Sequence, residues 1–276
     1  MKKTLSIFVA ILSLSLVLSS SIFASPSPRA QINEEEIRIL HEQTYDLVMQ
    51  GKEDLVDSQP LVKKYKEIFE QNPELYVEYL STLDIYNSIE LNKQVTDESS
   101  FTYTAKGNRV IKMPDGSFIV EHQSLKNNEG IEIKPETNTG GGVSLFAVLQ
   151  DTGWQSYSAS TGHNFTNDAR HDFWGVWKTQ ELHLVTKGKV QNTYIEITST
   201  STVGTSAWFP GKVASQSSSI VTNNARNVES TGDYNITGVI QEITYSKQIK
   251  ITTKIRLDSA SGGNVSYSIR SIVEGP

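Results

Sequence analysis

The chain has 276 residues, 25 Lys+Arg against 31 Asp+Glu, and no cysteine. That is an ordinary globular composition, and its net charge of -6 provides no basic field for a phosphate backbone, so nucleic acid is excluded as a first partner. The missing cysteines exclude disulfides, thiolate nucleophiles, Cys-ligated zinc, iron–sulfur clusters and lipid attachment through a leader cysteine.

Lys2 and Lys3 precede an apolar run from Leu5 to Leu18, and small residues follow up to Ala24. A basic start, a short apolar stretch and Ala at the cleavage point read as a secretory signal peptide over 1–24, with export to the medium or cell-wall space of a bacterium. No later stretch approaches the ~18 apolar residues of a spanning helix, so the mature chain is expected to be soluble.

Residues 25–98 read as an acidic helical module. Asn33 is the expected N-cap of a helix to about Met49, with Glu36 three residues on, and Gly51 ends it. Ser58 and Pro60 open a second helix carrying Leu61, Val62, Tyr65, Ile68 and Phe69 at helical spacing. Asn72-Pro73 stops it and opens a third, with Leu75, Tyr76, Tyr79, Leu80, Leu83 and Tyr86 on its apolar face.

The period changes from 3.6 to 2 near Phe101. In residues 99–136, Pro114-Asp115-Gly116 is the turn of a hairpin between Val110–Met113 and Ser117–Glu121. The run 137–142, ending in Gly140-Gly141-Gly142, is the best linker in the chain and an expected protease target. Residues 143–276 read as an antiparallel β-domain. Ile249, Ile251, Thr253, Ile255 and Leu257 alternate with polar residues, as do Val265, Tyr267 and Ile269 beyond the turn at Gly262-Gly263. Strands are also expected over Phe173–Thr186, Thr193–Thr202 and Tyr234–Tyr245, with Lys187-Gly188-Lys189 as a turn. The fold class is therefore α+β by segments, a small N-terminal helical module followed by an all-β antiparallel sandwich or barrel.

Charge follows the same division. The leader contributes +2, residues 25–98 contribute 7 − 16 = −9, and residues 99–276 contribute 16 − 15 = +1. An acidic front ahead of a glycine run has the layout of a pro-region covering the β-domain until cleavage.

Four tryptophans fall in one part of the β region. Trp208 and Phe209 stand before Pro210-Gly211 with the composition of an exposed binding tip, although large aromatics more often close one end of a core, and Trp174 and Trp177, three positions apart, are expected on opposite faces of one strand. An outward Trp can stack on a sugar or sit at a membrane surface, so these four residues are the candidate contact groups. His163, His171 and His183 with Asp172 form a second candidate, a zinc ligand set, although the spacing matches no helical ligand motif and Thr166–Arg170 reads as a loop that His163 and His171 decorate. No G-x-S-x-G elbow, nucleotide-binding or EF-hand pattern occurs, so the sequence implies no cofactor and favours no enzyme class.

The reading these residues favour is a secreted bacterial protein whose β-domain binds a surface partner, a glycan, the cell wall or a protein, without catalysis. One alternative is a secreted toxin or bacteriocin-like protein, with pore formation suggested by Tyr194–Thr202 and Ser217–Thr222, which are Ser/Thr-rich, weakly charged and alternating; a membrane enters only under this reading. The second alternative is a His- or zinc-dependent hydrolase. The oligomeric state is not encoded in any pattern seen here.

Overall fold

A computed structural model describes residues 32–96, 101–135, 154–206, 211–240 and 243–275. The expected signal peptide over 1–24, the glycine linker over 137–142, and Trp208 and Phe209 lie outside the described residues.

The helices come first. Helix α1 (Glu34–Met49) begins at Asn33, whose Oδ1 accepts the backbone N–H groups of Glu35 and Glu36 at 3.1 and 3.2 Å. This satisfies two of the free donors at the helix start. The Glu36 carboxylate does not close the reciprocal half of a capping box; it takes Lys64 and the Tyr65 hydroxyl instead. Gly51, at φ +71°, ends the helix, and Lys52 N donates back to Leu47 O. A 3₁₀ turn (Glu53–Ser58), α2 (Pro60–Gln71), α3 (Pro73–Thr82), a second 3₁₀ turn (Asp84–Tyr86) and α4 (Ser88–Thr96) follow. Each of α2 and α3 has proline in its first turn, where no backbone donor is needed.

Among the described residues, eleven antiparallel strands form two sheets. One has the order β1 (Thr102–Tyr103), β2 (Arg109–Lys112), β3 (Phe118–Lys126), β5 (His163–Trp174), β6 (Lys178–Val190), β7 (Ile195–Ser206). The other runs β4 (Gln155–Ser160), β11 (Asn264–Glu274), β10 (Ile243–Ser261), β9 (Asn227–Ile240), β8 (Gly211–Thr222). The chain is thus α+β, a short helical region followed by a two-sheet β-sandwich. The alternation read from the sequence appears as the β10–β11 ladder, which places Ile255 opposite Ile269 and Leu257 opposite Tyr267. The Pro114-Asp115-Gly116 turn joins β2 and β3, with Gly116 at φ +88°.

Four expectations are corrected. The expected strand Phe173–Thr186 is broken by a bend at 175–177 into the end of β5 and the start of β6, and the expected strand Tyr234–Tyr245 runs over the end of β9 and the start of β10. The stretch 163–172 is not a loop but the body of β5, whose inward positions Phe165, Asn167, Ala169, His171 and Phe173 are all buried. Lys187-Gly188-Lys189 is not a turn. It lies inside β6 at a register shift, and Gly188 is there because a Cβ would stand 2.6 Å from the Phe165 ring.

The sandwich interior changes along its length. Tyr157, Phe165, Val190, Ile195, Ile197, Val228, Ile255, Leu257, Tyr267 and Ile269 belong to one apolar cluster. Other inward positions are polar: Arg109, Glu121, His171, Thr186, Ser230, Thr253 and Ser271 are all buried. Thr186 Oγ1 and Ser230 Oγ join β6 to β9 at 2.7 Å, and Arg109 forms a buried ion pair with Glu121. Burial opposes ionisation of Glu121, but Arg109 and His171 more than offset it and hold the carboxyl down at about 2.

The helices close one end of the sandwich. Phe69 and Tyr76 lie 5.8 and 5.6 Å from the Trp177 ring, centroid to centroid, and Tyr86 stacks on Phe173. Val176 N donates to the Tyr79 hydroxyl at 2.8 Å, and that hydroxyl donates to His41 Nε2, also at 2.8 Å. The other ring nitrogen of His41 donates to the carbonyl of Asp115 in the β2–β3 turn. Burial pushes the His41 pKa down, which keeps the ring in the neutral form this relay needs. Gly175 leaves room for the Tyr79 hydroxyl, which a Cβ would overlap. At the C-terminal end, the Asn92 amide exchanges two hydrogen bonds of 2.9 Å with the backbone of Gly275.

Candidate binding groove and charged belt

The period-2 geometry of β5 and β6 sends alternate side chains outward. On β5 these are Asp168, Arg170 and Asp172, and on β6 they are Glu181 and His183. Arg170 pairs in register with His122 of β3 on one side and His183 of β6 on the other. The result is a belt of charge across the outer face of the sheet.

Every member of the belt is engaged. His183 Nδ1 lies 2.9 Å from Asp168 Oδ1, and its Nε2 lies 3.0 Å from Glu181 Oε1. The Asp168 hydrogen bond is the main reason the His183 pKa is raised; Glu181 adds to it and burial works the other way. Glu181 is desolvated, yet hydrogen bonds from Lys178 and His183 hold it at about 2. Arg170 donates to His122 Nε2 at 3.0 Å, and its Nε sits 3.3 Å from Asp172. Asp172 is a further 3.2 Å from His122 and 3.7 Å from Lys178.

Next to the belt lies a groove of about 450 Å³. One wall is the 3₁₀ turn, with Glu53, Asp54, Val56 and Asp57; Lys66 of α2 and Lys106 of the β1–β2 connection complete that side. The sheet supplies Arg170, Asp172, Trp174, Trp177 and Lys178. Lys106 meets Glu53 at 2.8 Å, tying the hairpin to the 3₁₀ turn, and Lys66 meets Asp57 at the same distance. The lining holds four cations and four carboxylates, so it presents dense polarity with little net field.

The sequence candidates fall in three places. Trp174 and Trp177 do line the groove, but both are buried, 5% and 3% exposed, so neither is displayed outward. The opposite-faces argument fails because Trp177 is not on a strand. β5 ends at Trp174, which stacks on Phe118, and Trp177 lies in the following turn under α2 and α3. Trp208 and Phe209 are outside the described residues.

The histidines are not brought together. His171 points inward, 3.3 Å from Glu121, while His183 and Asp172 belong to the outer face and His163 is half-buried at the start of β5. Among the described residues no group of three or more His, Asp or Glu side chains could hold a metal. His183 is not arranged as a general base either. Both its ring nitrogens face carboxylates, leaving neither to take a proton from a hydroxyl.

The charged lining of the groove was not anticipated. Lys52-Glu53-Asp54 looks like a solvated helix flank, and only the fold brings it opposite Arg170 and Lys178. Among the described residues no helix is long and apolar enough to cross a membrane. Comparison with protein-family models, curated proteins and solved structures finds no match.

Proposed function

We propose that the chain is a secreted bacterial binding protein that takes a hydroxyl-rich surface ligand, a cell-wall glycan, in the groove between the 3₁₀ turn and the outer face of β5 and β6, without catalysis. The observation that carries this reading is the composition of that groove, four cations and four carboxylates above a floor of two indoles. A charged ligand gains little where every cation already has a carboxylate beside it. A neutral polyol gains more, because paired carboxylates and ammonium groups keep free lone pairs and protons for charge-assisted hydrogen bonds. With so little indole surface exposed, Trp174 and Trp177 shape the floor and the polar side chains make the contacts. Export is supported by the Lys2-Lys3 start, the apolar run and Ala24. Trp208 and Phe209 remain candidate contact groups on sequence grounds.

Binding to isolated peptidoglycan and to a glycan array tests this. Lys66→Ala removes an amine that lies 2.8 Å from Asp57 and over the Trp177 ring, and the change should weaken binding about tenfold, the loss of ~1.4 kcal/mol. A wild-type protein that retains neither peptidoglycan nor any arrayed glycan would end the reading, as would unchanged binding by Lys66→Ala.

A further inference from the structure

The two Ser/Thr-rich stretches singled out in the sequence are consecutive strands, β7 and β8, and each has 12 residues. They are the edge strands of the two different sheets, so each has one side without a ladder partner in its own sheet. From Ile197 to Ala225 the single charged side chain is Lys212. Edge strands are ordinarily blunted by charge, and this pair is not.

Their attachment is also unusual. The faces that β7 and β8 turn toward each other carry Thr202 and Gly204 against Val213 and Gln216: a Cβ on Gly204 would lie 3.0 Å from each of those two side chains. Beside them, Thr202 reaches Gly232 of β9, where a Cβ would lie 2.8 Å from its methyl group. Ile195 and Ile197 bury the start of β7 in the core; beyond them little apolar area holds the pair down. Three of the six large hydrophobic side chains exposed among the described residues sit here: Val203 at 49%, Ile220 at 38% and Val221 at 56%.

We infer that β7 and β8 leave the sandwich as a hairpin and insert into a lipid bilayer. Twelve residues at ~3.3 Å each are ~40 Å long, and at a tilt of ~40° they span the ~30 Å hydrocarbon layer. Backbone groups in lipid must be paired, and a hairpin that joins copies of itself edge to edge meets that demand. Trp208 and Phe209 stand in the connection between the strands, and such side chains favour the membrane interface. The inference makes no use of the groove, so glycan binding and insertion stand or fall separately.

The chain has no native cysteine, which makes introduced ones specific probes. The test uses vesicles of phosphatidylcholine and phosphatidylglycerol at 3:1 loaded with a self-quenched dye, with the full chain both intact and cleaved near Gly140. Wild type should release the dye in at least one form. The pair Thr202→Cys with Gly232→Cys, once oxidised, pins β7 to β9 and should cut release at least tenfold, with recovery on adding reductant. Val221→Cys carrying an environment-sensitive fluorophore should shift to the blue on vesicles, while the same label at Ile131→Cys, exposed but far from the hairpin in sequence, should not. Dye release by neither form of the wild type, equal release by the oxidised and reduced pair, or no blue shift at Val221 would each overturn the inference. The Val221 label stands on an exposed side chain, so that arm remains decisive if the cysteine pair fails to fold.

Discussion

The helix-covered end of the sandwich and the β7–β8 edge are held by different physics. At the first, Tyr65, Phe69, Tyr76, Tyr79 and Trp177 are each under 5% exposed and packed ring against ring, with a relay through Tyr79 and His41 fixing the β2–β3 turn. At the second, backbone ladders carry strands whose side chains are mostly Ser, Thr and Gly. One region is thus stabilised by burial, which is lost all at once, and the other by hydrogen bonds that water can replace nearly one for one. The helix-covered end is held mainly by side-chain burial, and the β7–β8 edge mainly by its ladders to β6 and β9.

The largest effect should come from breaking the anchored end. Trp177→Ala deletes the indole on which Phe69 and Tyr76 pack and should cost about 3–5 kcal/mol of unfolding free energy by urea titration. A loss below about 1 kcal/mol would mean that the helices are not held by this cluster. The same contacts bear on any release of the helical segment: cutting it away would uncover Trp177, Val176 and Phe173, and the remaining sandwich would need another cover for them.

The contrast also explains what could be read in advance. Asn33 as a helix cap, the Pro114-Asp115-Gly116 turn and the β10–β11 ladder were legible because each rests on local chemistry or on clean alternation. Strand β5 was not, since two of its inward positions are Asn167 and His171, and a polar residue facing the core breaks the pattern that marks a strand. Gly188 misled for a similar reason. A glycine inside Lys-Gly-Lys looks like a turn, and only the fold shows that it makes room for Phe165. Helix α4 carries just Leu91 and Val95 as buried residues, too short a stripe to announce itself. The groove was invisible because its walls come from the 3₁₀ turn, α2, the β1–β2 connection, β5 and β6.

Between the two regions lies His183, on the outer face of β6 and in register with Val203 of β7. Its pKa is raised in the folded protein, chiefly by Asp168, so the stabilisation it provides is complete below its ordinary value of ~6.5 and is lost as pH rises through the folded value. Above that point a neutral ring sets a lone pair against one of two carboxylates, and the bridge opens. His183→Gln should therefore cost about 0.5–1 kcal/mol at pH 5.5, kept small by partial solvent screening, and close to nothing at pH 8.5. A cost that stays constant across this range would assign the residue a packing role instead.

The smallest effect belongs to the open edge. Val221 is 56% exposed on β8 and is one of the few apolar residues on that strand. Val221→Thr keeps the β-branched shape and the backbone ladder while replacing a methyl group with a hydroxyl that water already surrounds. Equilibrium stability should change by less than about 0.5 kcal/mol, with the same dependence on urea. A cost above about 1 kcal/mol would show that β8 packs as core, and the difference between the two regions would then be one of residue names and not of energy. With Trp177→Ala at the other end of the scale, the two substitutions measure how unevenly the sandwich is held, which is the property that the insertion inferred for β7 and β8 requires.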